Sequence, residues 1–568
     1  MWRARGSMME RMEDTGSGSR RAPDGAVVGP ASGARCLHRV ARERDAGPEW
    51  WRSAPLDEGV RLRAMAAADR RAGLRERALR NAGPDEKIVD VVGGHWTDLP
   101  GDVPDDGDER ATLDALRAGA TLVWGAALPA DPVAGRAGMR CTLTSVPSGG
   151  YVPVLVVNHK VVDPRRRRAS SPAVVTRLLD WAPAPDPGLR LRRHPADLDR
   201  LAHAWRLLEV TGFAAAAPIG AVLGLGSGRS VVHDLEPALS AADRAHAARL
   251  AVARGEVGTA PSRIGECRTC PWWGGWDAHG TAVTGCRDRL IREDDVSLVV
   301  GGGQVASLRE AGVRTVADLA AAEPTRPAGW NGEPFGDAVL RARAHRDGAV
   351  LVPKVARPDV PRADVEVDVD LESHLDDGAY LWGTLLTVRG GPPPDTEGYR
   401  AFATWAGLPD VDEGRAFAAF WRWLTDIEER AGSRGQSFRA YCFSRSAENA
   451  WMLSSATRFG PGGTVATVEG VPSVGEVRGF VSSHRWVDVH EAVTSQFVST
   501  SGSGLKVVAP VAGFRWRDPE AGGEASLGWY RDAQAASGEE QERGRARILA
   551  YNEDDVRATL AVRDWITG

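Results

Sequence analysis

Two sets of side chains in this sequence have the types and spacing for metal chemistry. The first is sulfur: Cys36 stands alone near the start, and Cys267, Cys270 and Cys286 follow far downstream. A C-x2-C pair lets two sulfurs converge on one metal centre through a short turn. Cys286 follows in the same loop, and a fourth ligand is still needed. Cys36 is the candidate, and its use would clamp together the two ends of a domain roughly 250 residues long. The second set is carboxylate. Val365 to Glu372 alternates strictly, so Glu366, Asp368, Asp370 and Glu372 share one face of a strand. Four acids on one face repel unless cations or solvent offset them. Either this is a solvated amphipathic edge strand, or Asp370 and Glu372 at its end hold divalent metal.

The end of the chain supplies a complement. Tyr551 and Asp555 are i and i+4 on a predicted helix and share its face. A D-x-E strand with a terminal Y-x3-D helix suits a two-metal phosphodiesterase, in which one ion activates water and the other stabilises the leaving oxygen. The tyrosine beside the last aspartate can orient the attacking water. A third acid is expected between these motifs. Glu448 is the candidate, or alternatively a charge that favours a helix N-terminus. Asp488 is a further possibility, as is a plain turn or cap at that position.

These residues need elements to position them. Residues 62–81 and 196–212 read as helices, and 152–163 as a buried strand. Residues 437–456 read as a strand followed by a helix, with Glu448 at the helix start. Val556, Leu560 and Ile566 form an apolar stripe that would pack the last helix onto a sheet. Between 294 and 322, Gly301 to Gly303 precede one helix, Gly312 makes a turn and Thr315 N-caps a second. This is either a helix-hairpin-helix, whose turns offer backbone N–H groups to phosphates, or a purely structural hairpin. Arg165 to Arg168 could meet a phosphate backbone or form a solvated turn. Cys141 and Cys442 lie in apolar runs and are expected to be buried small hydrophobes.

With 568 residues the chain is too long for one core. Its 43% hydrophobic and 26% charged residues indicate a globular protein. The net charge of −5, from 71 basic and 76 acidic residues, gives no global basic excess, so any nucleic-acid surface must be local. No run of about 18 apolar residues predicts a membrane span. The first 34 residues lack the apolar core of a signal peptide, and six cysteines are too few for a disulfide framework. A reducing cytoplasm is therefore expected.

From about residue 31 to 568 the chain resembles the RecB-like nucleases that carry a C-terminal RNase H-like domain. The segments that carry the likeness are ASGARCLHRVARERD, ECRTCPWW, DDVSLVVGGG with GVRTVADLA, VDVDLE, WVDVHEAV, GLKVVAPVAGFRWRD and YNEDDVRATLAVRDWI. The resemblance implies an α/β protein with a PD-(D/E)XK-like first domain over 35–290 and a helix-hairpin-helix-like connector over 291–325. A linker over 326–361 and an RNase H-like mixed-sheet domain over 362–568 follow, with residues 1–34 a disordered tail. It implies a 4Fe-4S cluster on Cys36, Cys267, Cys270 and Cys286. It further implies a DEDD-type exonuclease set of Asp370, Glu372, Glu448, Tyr551 and Asp555 binding two Mg2+ or Mn2+ ions, with DNA or RNA as substrate and a helicase as a possible partner.

The chain departs from that pattern in its first domain. Met139 or Arg140 stands where the nuclease aspartate belongs, and Asn158 replaces the acid before Lys160. Arg200 and Ala204 replace a glutamine and a tyrosine. Without carboxylates Mg2+ affinity should fall severely, so this domain is expected to survive as a binding platform. The 15 residues between Cys270 and Cys286 include Asp277 and His279. Zn2+ on Cys267, Cys270, Cys286 and His279 therefore competes with the cluster, and free thiols are a third reading. A non-catalytic nucleic-acid-binding scaffold, with both nuclease folds decayed, is the alternative to the exonuclease.

Overall fold

The computed structural model describes residues 25–568 except 31–35, 48, 53, 55–56, 94–95, 98, 100–103, 166–170, 226–227, 277–282, 375–376 and 521–524. Most of the expected tail, Arg166 to Arg168, Asp277 and His279 lie outside the described residues. The chain divides into two compact units, 1–289 and 290–568, and both are α/β.

The first unit is built on a mixed sheet. Its strands are β1 (Ile88–Asp90), β2 (Leu122–Leu128), β3 (Met139–Ser145), β4 (Tyr151–Lys160), β5 (Val162–Pro164), β6 (Pro172–Thr176), β7 (Ala184–Leu191), β8 (Ile219–Leu225) and β9 (Ser230–Asp234). They lie in the order β1-β2-β3-β4-β8-β9-β6-β7-β5. β2 is buried along its whole length, and Cys141 on β3 is 2% exposed. Burial pushes the Cys141 thiol up to about 12, as expected of a packing residue. The helix Pro195–Thr211 covers β4 and β8 with Leu201, Ala204 and Leu208. The expected helix over 62–81 begins earlier, at Glu58, where Asp57 accepts a hydrogen bond from the Val60 N–H.

The second unit contains a five-stranded mixed sheet. β11 (Val365–His374), β12 (Gly378–Val388), β13 (Gly398–Ala403), β14 (Phe438–Cys442) and β15 (Trp486–Asp488) lie in the order β13-β12-β11-β14-β15. β11 pairs antiparallel with β12 and parallel with β14. Val365, Val367 and Val369 enter a core with Phe417 and Phe420 of the helix Val411–Ser433 and with Met452 and Phe459 of the helix Arg445–Phe459. The C-terminal helix Gly538–Thr567 packs against β11 and β12. β10 (Leu351–Pro353) pairs with β16 (Phe497–Ser499) as a separate ribbon. In the hairpin of helices Gly303–Glu310 and Val316–Ala321, Gly312 takes φ +84° and the Thr315 hydroxyl caps the Asp318 N–H at 3.0 Å.

The acidic face of β11 divides into two halves. Glu366 and Asp368 are fully buried, and arginine offsets their charge. Arg563 of the C-terminal helix hydrogen-bonds Glu366 and reaches Asp368 Oδ2 at 2.6 Å. Arg362 donates to both Glu366 oxygens at 2.8 Å. Burial opposes the charge on Glu366, yet Arg362 and Arg563 hold its carboxyl down at about 2. The expected apolar stripe on the last helix also needs correction. Val556 and Ile566 are buried, but Leu560 is only partly so, and the packed face runs through Ile548, Tyr551, Asp555, Val562 and Arg563. A helix that must neutralise two buried acids and offer a third cannot be wholly apolar on its inner face.

Candidate functional site

The other half of the acidic face leads to a carboxylate cluster. Asp370 and Glu372, two residues apart on β11, project to the same side and meet Asp555 from the C-terminal helix. One carboxylate oxygen from each lies within 4.8 Å of the others. Glu372 and Asp555 are each 7% exposed. Burial, then the charge of Asp555, raises the Glu372 carboxyl to about 8. Asp370 is raised as well, by burial and by Asp555, Glu372 and Glu448. Buried carboxylates this close resist sharing full negative charge, and a divalent cation is the natural relief.

Each acid is held by neighbours. Asn552 donates to Asp370 Oδ2 at 2.8 Å and accepts from the Tyr399 hydroxyl of β13 at 2.9 Å. Gly383 of β12, directly opposite Asp370, makes room for this link: a Cβ there would stand 1.6 Å from Asn552 Oδ1. Ser526 hydrogen-bonds Glu372. Lys506 Nζ and Trp516 Nε1 both donate to Asp555 Oδ1, at 2.7 and 2.6 Å. The Lys506 ammonium also lies 3.9 Å from the Trp516 ring centroid and 4.4 Å from that of Tyr551. Tyr551 is 4% exposed and its hydroxyl hydrogen-bonds Asp555. Burial and the charges of Glu372, Asp555 and Asp370 push its phenol well up, so it remains a protonated donor.

Glu448 lies beside this cluster without joining it. It is 4% exposed on the helix Arg445–Phe459, burial raises its carboxyl to about 8, and its Oε2 has no hydrogen-bond partner among the described residues. Asp488 is a cap: it accepts from the Ser444, Arg445 and Glu491 N–H groups at 3.1, 3.1 and 3.2 Å. Lys506, Trp516 and Asn552 were not singled out from sequence. Asn552 adjoins Tyr551, and the GLKVVAPVAGFRWRD segment contains the other two. A lysine and a tryptophan near acids announce nothing until the chain folds.

In the first unit Cys36, Cys267, Cys270 and Cys286 line one recess together with His38, Arg39 and Trp272. Cys36 precedes the helix Leu37–Ala46, which is fastened to the far end of the unit by Val40 and Ala41 against Leu250 and by Arg44 donating to the Val252 carbonyl at 2.8 Å. The long loop before Cys286 is pinched at its base. The Cys286 and Arg287 N–H groups donate to the Trp272 and Trp273 carbonyls at 3.1 Å. A Cβ on Gly275 would stand 2.2 Å from the Val283 carbonyl oxygen, and one on Gly285 would stand 2.4 Å from that of Trp273. Cys286 is thereby returned to Cys270 despite the intervening residues. Burial raises the Cys267 and Cys270 thiols, and raises that of Cys286 to about 11 with Cys270 adding to it. No three of the thiols lie within 4.8 Å of one another.

Residues 471–567 match the RNase H superfamily family model. The matched segment contains Lys506, Trp516, Tyr551 and Asp555, and ends just after Ile566. The C-terminal part of the chain is thus RNase H-like. No curated protein and no solved structure matches the chain. Among the described residues no helix is long and apolar enough to cross a membrane.

Proposed function

We propose that residues 362–568 form a metal-dependent nuclease of the DEDD exonuclease type, acting on DNA or RNA. The observation that carries this reading is the meeting of Asp370 and Glu372 from a strand with Asp555 from a helix 183 residues further on. The RNase H superfamily match supports it, because such domains usually hydrolyse nucleic acids. Three close carboxylates are hard oxygen donors and fit Mg2+ or Mn2+. Asp370, Glu372 and Asp555 would hold two such ions, with Glu448 bordering them. When bound, the ions lower the pKa of water and neutralise a leaving oxygen. Tyr551, kept as a neutral phenol, orients the attacking water through its hydroxyl, and Asn552 keeps Asp370 turned toward the site.

Asp370→Asn should abolish Mg2+- or Mn2+-dependent degradation of single-stranded and duplex substrates while the protein remains folded. Degradation at the wild-type rate would reject the assignment. One observation favours the rival, a non-catalytic scaffold: Lys506 already supplies a cation to Asp555. Nucleic-acid binding indifferent to Mg2+, with no divalent ion bound at the carboxylates, would select that reading.

The first unit, in this proposal, is a PD-(D/E)XK-like platform that has lost its own Mg2+ site and grips nucleic acid, and the helical hairpin of residues 291–325 in the second unit is a separate nucleic-acid contact. Of Met139 and Arg140, either of which stands where an acid would be needed, Arg140 is paired with Asp108. Its four cysteines would hold an iron–sulfur cluster.

A further inference from the structure

Asn158-His159-Lys160, where the first unit lacks its nuclease acid, lies on an irregular stretch of β4. Its pairing with β8 runs Val156 with Leu223 and then Lys160 with Leu225, so β4 carries two extra residues there. A bulge of this kind re-aims side chains. Gly224 accommodates it: a Cβ on that residue would stand 2.6 Å from the His159 carbonyl oxygen. Beside the bulge the helix Pro195–Thr211 begins, with His194 at its N-cap and Asp197 in its first turn.

The bulge and the helix start bring three donors to one place. His159 Nε2 and Asp197 Oδ2 are 2.8 Å apart, and the His159 and His194 ring centroids are 4.1 Å apart. A ligand atom from each of His159, His194 and Asp197 lies within 4.8 Å of the other two. His194 Nε2 is 3.0 Å from the Lys160 carbonyl oxygen, to which it can only donate, and this leaves Nδ1 free with its lone pair. Metal-binding histidines commonly use one nitrogen for the ion and fix the other on a carbonyl or carboxylate. Asp197 is 5% exposed, whereas the His159 side chain is 37% exposed, so the cluster is anchored on one side and open on the other. His233 of β9 stands within electrostatic reach of Asp197.

We propose that His159, His194 and Asp197 bind one transition-metal ion of the Zn2+ class in the first unit. Two imidazole nitrogens and one carboxylate oxygen suit Zn2+, Co2+ or Ni2+, and are poor ligands for Mg2+. On binding, the ion replaces the proton shared by His159 and Asp197. Three protein ligands leave a coordination position for solvent. The site is independent of the carboxylate cluster and of the cysteine recess, and it stands whether or not the nuclease reading holds.

The test uses the full chain, stripped of metal and kept in excess Mg2+, titrated with Co2+ and followed by absorption. Thiolate-bound Co2+ shows sulfur-to-metal charge transfer in the near ultraviolet, which a histidine and carboxylate site lacks. The wild type should bind one more equivalent than His194→Ala or Asp197→Asn, and the missing visible bands should have no charge-transfer partner. Equal stoichiometry and spectra in wild type and His194→Ala would overturn the proposal, as would a loss confined to thiolate bands. Circular dichroism of the metal-free proteins checks folding. Should Asp197→Asn not fold, the partly exposed His194→Ala decides alone.

Discussion

Lys506 sets its ammonium 2.7 Å from Asp555 Oδ1, inside the only group of three carboxylates that converges among the described residues. It lies over the faces of Trp516 and Tyr551, so its position is constrained by two rings and one carboxylate. An ammonium there partly offsets the cluster's negative charge and competes with a divalent ion for the same oxygen. Lys506→Met should therefore tighten Mn2+ binding. The Lys506 and Asp555 side chains are 34% and 10% exposed, and a pair still open to solvent on its lysine side is worth about 0.5–1 kcal/mol, or a factor of about 2 to 5 in affinity. Calorimetric titration of both proteins measures it, and unchanged affinity would mean that the lysine does not compete.

The raised carboxyls predict how stability follows pH. The Glu372 carboxyl rises from 4.5 to about 8 on folding, so the folded state binds its proton more tightly than the unfolded state. That contribution is fully present below about pH 4.5 and is lost as pH rises through about 8. The metal-free protein should lose thermal stability across this window, and Mn2+ should restore it most at the upper end. Glu372→Gln should reduce the dependence, while Glu448 and Glu413, raised to about 8 and about 7, keep part of it. Unfolding curves at several pH values, with and without metal, check both statements; Asp370, raised in the same direction, will leave some slope in the variant.

Gly383 tests the support of Asp370. Alanine there would collide with the Asn552 amide at 1.6 Å and push it away from Asp370. Loss of an outer partner of a metal ligand typically costs about 10- to 100-fold in affinity or activity. Gly383→Ala should show such a loss in Mn2+ affinity, and Asn552→Ala a similar one. Native-like affinity in both would remove Asn552 from the site.

Cys36 tests the clamp. Anaerobically purified protein should be coloured and contain iron and sulfide, and Cys36→Ser should lose most of both along with thermal stability. Because the Cys286 thiol is raised to about 11, chiefly by burial, loading must displace protons and should improve as pH rises. Zinc without iron would replace the cluster by a mononuclear site, and neither metal would leave free thiols.

Periodicity made part of this legible without coordinates. A strand's two-residue repeat places Asp370 with Glu372, and a helix's 3.6-residue repeat places Tyr551 with Asp555, because both follow from backbone geometry. Thr315 as a cap and Cys141 as core are equally local readings, made from the residue and its near neighbours.

Tertiary packing decided which acids do what. Glu366 and Asp368 look identical to Asp370 and Glu372 in the alternation, yet Arg563 claims the first pair from nearly 200 residues away. Lys506, Trp516 and Asn552 entered the site in the same manner, as did His194 and Asp197 beside His159. Spacing along the chain determines which side chains share a face. Which partner meets that face depends on how helices and strands pack across long separations, and no local repeat encodes it.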